Sequence, residues 1–368
     1  MKTNLRALCA SILFVVFLGG FFLANRIIKP PELSLSERRA LKTMPELSVK
    51  SLFGGGFSDD FEEYAADSFA FREELRTVRA FSALRIFNLS DKGGIYFKNG
   101  QIGRFESMKA ASARRLGQKI NHLAANMQGL NIYYSIIPDK GVYVDSSLPG
   151  LRQDEAAALL GEELGRYSYI DLTEALEADD FYRADLHWDQ IKIAPVVAAL
   201  AKNMGCIDLL NQAYTPHSMG TFKGAYAGQL ALPVKPDTLS YFTNQAIDNA
   251  KVKYYSTKTM KFEAGEMYSQ SGFKGYDPYD FFLKGSQPLI VIENDKASTE
   301  KELYLFRDSF GSSLAPLLTS AYSKITLIDL RYVDSRILPQ LVEFKSGSDV
   351  LFIYSSQILN SSDTLLAQ

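Results

Sequence analysis

The stretch from Ala7 to Ala24 carries no charged side chain and is dominated by Leu, Ile, Val and Phe, and it limits the possible fold more than any other part of the chain. As a helix it spans roughly 27 Å at about 1.5 Å per residue, close to the hydrocarbon thickness of a bilayer. A lone helix is also the one element that satisfies its own backbone hydrogen bonds in lipid. Lys2, Arg6 and the amino terminus precede the run and favour a cytoplasmic N-terminus, a bias that Arg26 and Lys29 weaken. A cleaved signal peptide is the alternative, but no convincing small-x-small site follows the apolar run. The expectation is an uncleaved anchor over residues 1–29, with the remainder outside the cytoplasm.

The 368 residues suffice for one large domain or two ordinary ones, and 46% hydrophobic with 22% charged residues are globular values. A net charge of -2 gives no reason to invoke nucleic acid or a polybasic membrane surface. Cys9 falls within the apolar run, which leaves Cys206 alone in the soluble part and excludes a disulfide framework.

Pro30-Pro31 and the polar residues from Glu32 to Arg39 read as a linker. A helix is expected from Arg72 to about Phe87, and Asn99-Gly100 between alternating runs predicts a hairpin over 94–105. Residues 30–106 are thus expected to form a linker and a helical and hairpin segment packed on the domain that follows. From about Ser107 strands and helices alternate. Strands are expected at Asn131–Ile137, Glu302–Phe306, Ile325–Leu330 and Val350–Tyr354. Helices are expected up to Met127 and at Ala156–Arg166, Ile191–Met204, Gly311–Ser320 and Ser335–Phe344. This order predicts an α/β fold with a parallel sheet covered by helices on both faces. Residues from Pro216 to about 284, rich in Gly, Tyr, Phe and Lys, interrupt the rhythm and read as a β-rich insertion.

Function in such sheets lies at the carboxyl ends of strands. There Phe306-Arg307-Asp308-Ser309-Phe310-Gly311 places a serine between a strand and a helix, which would lift its hydroxyl above the sheet edge. The Gly-x-Ser-x-Gly consensus is half present, since Arg307 replaces the first glycine. Asp308 or Ser309 as a mere helix cap is the competing reading. A serine needs a base, and a histidine base needs an anion to fix its tautomer. In an extended Asp185-Leu186-His187 the aspartate and histidine would share one side, with Trp188 walling the site. Asp185, His187 and Asp189 as metal ligands compete, without a second histidine or a cysteine cluster to support them. Of the other two histidines, His122 sits in an expected helix and His217 has no evident partner. Lys140, in Pro138-Asp139-Lys140 after a strand, either meets an anionic ligand or pairs with Asp139.

These segments together resemble the DHHW family of bacterial proteins, relatives of the SGNH-hydrolase-like enzymes of alginate O-acetylation. The resemblance covers most of the chain after the apolar run. It is carried by Asp60-Phe61-Glu62-Glu63-Tyr64 with Asp67-Ser68-Phe69, Pro138-Asp139-Lys140, Asp185-Leu186-His187-Trp188, Arg307-Asp308-Ser309-Phe310-Gly311-Ser312-Ser313, and Ile328-Asp329-Leu330-Arg331-Tyr332. It implies an SGNH-like catalytic domain over 107–368 with a triad of Ser309, His187 and Asp185, the acid–base pair preceding the serine. Leu186 stands where the family name has histidine.

The Gly and Asn blocks that supply the usual oxyanion donors are not found. Gly285-Ser286-Gln287 is the nearest candidate, with Gly285 and Gln287 as donors and the Ser309 N–H as another. Arg331 either holds an anionic substrate or is structural. The implied activity is acetyl transfer onto a cell-surface or secreted polysaccharide, without metal or organic cofactor, with a membrane-embedded acyltransferase supplying acetyl groups. Tyr226, Tyr241 and Tyr254 are the expected sugar platforms. A carbohydrate esterase using the same triad, and a noncatalytic polysaccharide-assembly protein, are the rival readings.

Overall fold

The computed structural model describes residues 5–34, 36–48, 56–145 and 152–367. They form two compact units, one of residues 1–92 with 227–234 and the other of residues 93–226 with 235–368.

The first unit begins with helix α1, Leu5–Ile27. Its segment Ala7–Ile27 has mean hydropathy 2.5 and none of its residues is buried, and it is long and apolar enough to cross a membrane. Helices α2, Gly56–Ser68, and α3, Arg72–Phe81, follow, and a wider helical turn over Ser82–Ile86 replaces the last expected turn of α3. Asp67, at the end of α2, is buried and accepts both Arg39 guanidinium nitrogens at 2.7 and 2.5 Å and the Lys42 N–H at 2.9 Å. Its hydrogen bonds to Arg39 hold the carboxyl down at about 2.

The second unit opens with the expected hairpin. Strand β1, Ile95–Lys98, pairs with β2, Gln101–Arg104, and both turn residues have positive φ, 50° at Asn99 and 80° at Gly100. That matches the twist a two-residue turn requires. Helix α4 is Ala110–Ala125, strand β3 Asn131–Ile137, helix α5 Gln153–Leu164, strand β4 Ser168–Ile170 and helix α6 Ala194–Asn203. Then come β5, Thr215–Phe222, β6, Asp237–Thr243, β7, Lys251–Ser256, and β8, Lys261–Gly265. Strand β9 is Leu289–Glu293 and β10 Glu302–Arg307, followed by helix α7, Phe310–Leu318, strand β11, Lys324–Ile328, and strand β12, Asp349–Ser355.

The central sheet has eight strands in the order β8-β7-β9-β11-β10-β12-β3-β4. The five from β11 to β4 are parallel, as the alternation predicts, while β9, β7 and β8 add in antiparallel fashion. The segment 216–284 is β-rich, as expected, and part of it belongs to the central sheet. Only β5 and β6 form a separate hairpin, and β7 and β8 widen the sheet itself. Strand β9 escaped the sequence reading because Leu-Ile-Val-Ile-Glu, though bounded by Pro288 and Asn294-Asp295, is too short an apolar run to show a period of its own. The expected helix over Ser335–Phe344 is also reduced, to two short turns ending at Leu341.

Strand alternation divides the core into two layers. Leu303, Leu305, Leu351 and Ile353 face α6 and α7 through Val197, Leu200, Leu314 and Leu318. Tyr304, Phe306, Val350 and Phe352 face α4 and α5 through Leu116, Ile120, Leu160 and Leu164. The period of two is what a strand buried on both faces requires. From β10 the chain passes by α7 to β11 on one side and returns to β12 on the other. The strand order therefore reverses around β10, and the crevice above its carboxyl end is where such sheets place ligands.

Candidate active site

Ser309 follows β10 directly and leads into α7. The turn is tight because Gly311 lies against Arg307: a Cβ on Gly311 would stand 2.5 Å from the Arg307 Cβ. Asp308 is buried, and its carboxylate accepts the Phe310 N–H at 3.0 Å and the Ser355 N–H at 2.7 Å, tying β12 to the turn. Asp308 is thus the residue that caps α7. The Ser309 side chain makes no capping bond, so its hydroxyl is left for other chemistry.

That hydroxyl donates to His187 Nε2 at 2.7 Å, and His187 Nδ1 donates to Asp185 Oδ1 at 2.7 Å. The tautomer follows from the partners, because a carboxylate at Nδ1 demands the proton there and leaves Nε2 as acceptor. Asp185 is fully buried and His187 nearly so, whereas Ser309 is half-exposed.

Asp185 and His187 are neighbours, though not for the reason expected. The segment is a tight loop, closed by a bridge between Phe181 and Trp188 and by the Tyr182 N–H donating to the His187 carbonyl at 2.9 Å. Asp185 Oδ1 also accepts the His187 N–H at 3.1 Å, an Asx turn that holds backbone and ring to one oxygen. The second carboxylate oxygen accepts the Ala225 N–H at 2.7 Å. Gly224 permits this approach, since a Cβ there would lie 2.0 Å from the Ala184 carbonyl oxygen.

Lys140 lies beneath the same loop. Its ammonium donates to the carbonyls of Tyr182, Arg183 and Asp185 at 3.0, 3.1 and 2.8 Å and stands 5.2 Å from the Tyr226 ring centre. Burial pushes it down to about 8, with Asp185 opposing that shift. These contacts use up its donors, so Lys140 braces the loop rather than meeting an anionic ligand, and it does not pair with Asp139. The Arg183 and Ala184 N–H groups complete the frame by donating to Asp237 at 3.0 and 2.8 Å.

Several expected roles give way here. Trp188 is fully buried, donates its indole N–H to Ser313 Oγ at 2.7 Å and packs edge-on against Phe310. It supports the site from below. The Gly285 N–H is committed to the Phe282 carbonyl at 3.1 Å, and the Gly285 carbonyl accepts from buried Arg307 at 3.3 Å. The Gln287 amide donates to the Lys284 carbonyl at 3.2 Å. Arg331 forms a two-pronged pair with Asp329 at 2.9 and 2.6 Å, and Arg307 reaches the same carboxylate at 3.3 Å, which fits the structural reading of Arg331. Tyr226 and Tyr254 are buried, so neither offers a ring face to a sugar, and Tyr241 is packed against Tyr268 and Phe281. Around the serine turn the N–H groups of Phe310, Gly311 and Ser312 are satisfied by Asp308 and Ser309. The Ser309 N–H is the one without a hydrogen-bond partner among the described residues.

Two residues that the sequence reading missed complete the geometry. Tyr279 stacks on the His187 ring with centroids 3.7 Å apart and planes 8° from parallel, and its hydroxyl donates to Ser313 Oγ at 2.7 Å. Ser313 thereby joins Tyr279 and Trp188 on one oxygen. Ser313 was within reach of sequence reasoning, standing one helical turn after Ser309. Tyr279 was not, being remote in sequence and one of 20 tyrosines. Both ring nitrogens of His187 are occupied by the triad, and no group of three metal-binding side chains occurs among the described residues. His122 is exposed on α4, while His217 meets Thr243 at 2.9 Å and lies over Tyr241.

A DHHW family protein from Eubacterium siraeum matches with TM-score 0.62 at 18% identity, over 76% of this chain and 98% of that one. PatB1 of Bacillus cereus matches with TM-score 0.56 at 17% identity, over 72% and 97% of the two chains. PatB1 with a sulfonyl adduct gives TM-score 0.57 at 17% identity, over 74% and 98%. The chain shares the fold of this DHHW family protein and of PatB1. The resemblance read from its short motifs therefore holds at the level of architecture. No protein-family model and no curated protein matches the sequence.

Proposed function

We propose that this protein is a membrane-anchored, extracytoplasmic O-acetyltransferase acting on a cell-surface or secreted polysaccharide. The observation that carries the reading is the unbroken relay from Ser309 through His187 to Asp185, in which only the serine reaches solvent. The fold shared with PatB1, which has been solved with a sulfonyl adduct, supports it, and a sulfonyl group on this chain is expected on Ser309.

His187 Nε2 takes the Ser309 proton as Oγ attacks the acetyl carbonyl, and Asp185 stabilises the imidazolium that forms. The unpartnered Ser309 N–H, at the start of α7, faces the developing oxyanion with the helix dipole behind it. Collapse breaks the bond to the leaving group, which takes the proton back from His187. A sugar hydroxyl then gives its proton to His187 and attacks the acetyl-serine; the bond from Ser309 Oγ to the acyl carbon breaks, and Oγ takes the proton from His187, which restores the free serine. Acetyl groups made in the cytoplasm must cross the bilayer, so a membrane-embedded acyltransferase is the expected supplier.

The test uses the full chain in detergent with a generic acetyl ester. Parent protein should gain one acetyl on Ser309, visible by mass, and pass it to a suitable oligosaccharide. Ser309→Ala should gain none and His187→Ala should turn over several orders of magnitude more slowly. Efficient stripping of acetylated polysaccharide, with no gain by any oligosaccharide in a broad panel, would instead make the protein an esterase.

A further inference from the structure

The segment from Phe69 to Leu89 in the first unit turns the wrong face outward for a helix in water. Phe71, Leu75, Val78, Phe81, Phe87 and Leu89 are all exposed. Steps of four and three residues place Phe71, Leu75 and Val78 on one stripe of the helix, with Phe81 beside it. On the opposite side of α3, Arg72 and Arg76 are mostly buried and pair with Glu37 and Glu73, and Ala80 is fully buried, whereas Glu74 and Arg79 are exposed alongside the apolar residues. Contiguous apolar surface of this kind marks an interaction site.

Helix α1 indicates what covers it. Phe21, within the apolar span, stacks on Phe69 at 5.2 Å and meets Phe71 edge-on at 6.3 Å. Phe21 lies about 9 Å before Ile27 along the helix axis, at about 1.5 Å per residue. Interfacial helices bury their apolar face by about 5–10 Å, which is the same depth. The backbone agrees. The Ala70 N–H would be unpaired in hydrocarbon, but it donates to Asn25 Oδ1 at 2.7 Å, and Asn25 Nδ2 donates to the Phe21 carbonyl at 2.9 Å. A polar residue inside the span thus satisfies both itself and the loop beside it, as a water-free setting requires. Arg79 and Arg85 are exposed on the same segment and can reach lipid phosphates.

We propose that Phe69–Leu89 lies in the plane of the bilayer interface as a second membrane contact, its apolar stripe in lipid, in the leaflet from which α1 emerges. The inference rests on α1 crossing the membrane. It makes the protein bound along its first unit rather than tethered by a single helix.

Spin-label depth measurements on the full chain, reconstituted in vesicles of phosphatidylcholine with a minor fraction of phosphatidylglycerol, test this. Cys9→Ser removes the exposed thiol and Cys206 is buried, so single cysteines can be labelled at Val78, Phe87, Glu62 and Val15. Labels at Val78 and Phe87 should be relaxed several-fold more by oxygen than by a water-soluble nickel chelate, with Glu62 showing the reverse. Nickel-dominated relaxation at Val78 and Phe87, with Val15 still oxygen-dominated, would overturn the interfacial contact while leaving the span intact. Shielding of Val78 and Phe87 from both reagents would overturn it too, since protein rather than lipid would then cover the face. Nickel access at Val15 would remove the spanning helix and the inference with it.

Discussion

Asp185→Asn is the most informative single change, because the carboxylate accepts from at least three donors, the His187 N–H, the His187 Nδ1–H and the Ala225 N–H. An asparagine can match only part of that set. With its oxygen toward His187, its NH2 group confronts the Ala225 N–H, donor against donor, at a cost of about 1–3 kcal/mol for the unmet buried groups. With the amide reversed, the NH2 group faces both His187 donors and forces the ring proton onto Nε2, where it blocks acceptance of the serine proton. Even the better orientation loses the negative charge that stabilises the imidazolium. Two charges about 4 Å apart at an effective dielectric constant near 20 interact by about 4 kcal/mol, which is about a thousandfold in rate. We expect kcat/KM for acetyl-ester turnover to fall about 10³- to 10⁴-fold, with KM little changed. The assay is ester hydrolysis by full-length protein in detergent, with circular dichroism and a melting curve to verify folding. A folded variant within about tenfold of the parent would refute the claim that Asp185 supports the transition-state charge.

Tyr279→Leu removes the ring stacked on His187. A cation–π contribution of about 0.5–2 kcal/mol predicts a loss of about 2- to 30-fold, in kcat rather than KM, whereas Tyr279→Phe should retain most activity. Gly311→Ala places a Cβ 2.5 Å from the Arg307 Cβ and should cost about 1–3 kcal/mol in chemical denaturation, with activity falling as Ser309 shifts. Burial lowers Lys140 from 10.5 to about 8, so between those values the unfolded chain binds more protons and stability from this group rises with pH. Lys140→Met should flatten that rise in denaturant titrations across the window, and should destabilise the protein by about 1–3 kcal/mol at neutral pH by leaving three carbonyls without a donor.

The local signals that survived folding are those whose cause is local. Eighteen or so apolar residues in a row need no partner to become α1. Asn99-Gly100 adopts positive φ because its own side chains permit it, and the β10–α7 turn is legible because a strand, a serine and a glycine fall in order. The parallel strands followed from their regular alternation with helices, whereas β9 was missed, and with it the link by which β7 and β8, inside the segment read as β-rich, join the same sheet.

At the site, the sequence supplied Ser309, His187 and Asp185 as candidates, because a nucleophile, a base and an anion are recognisable by type. Tertiary structure alone decided how they are held. The His187 ring and backbone N–H meet one oxygen of Asp185 through a tight loop braced by Lys140, Asp237 and Ala225, residues scattered across about a hundred positions of chain. Lys140, Arg331, Trp188 and Gly285 looked available for substrate because charge, aromaticity and flexibility can be read from residue type. Their partners cannot. Three backbone carbonyls, Asp329, Ser313 and Phe282 claim them, and each partner arrives from a different element across the fold. A side chain's chemistry is written in its own residue, but whether that chemistry is still free depends on neighbours that only the packed chain brings near.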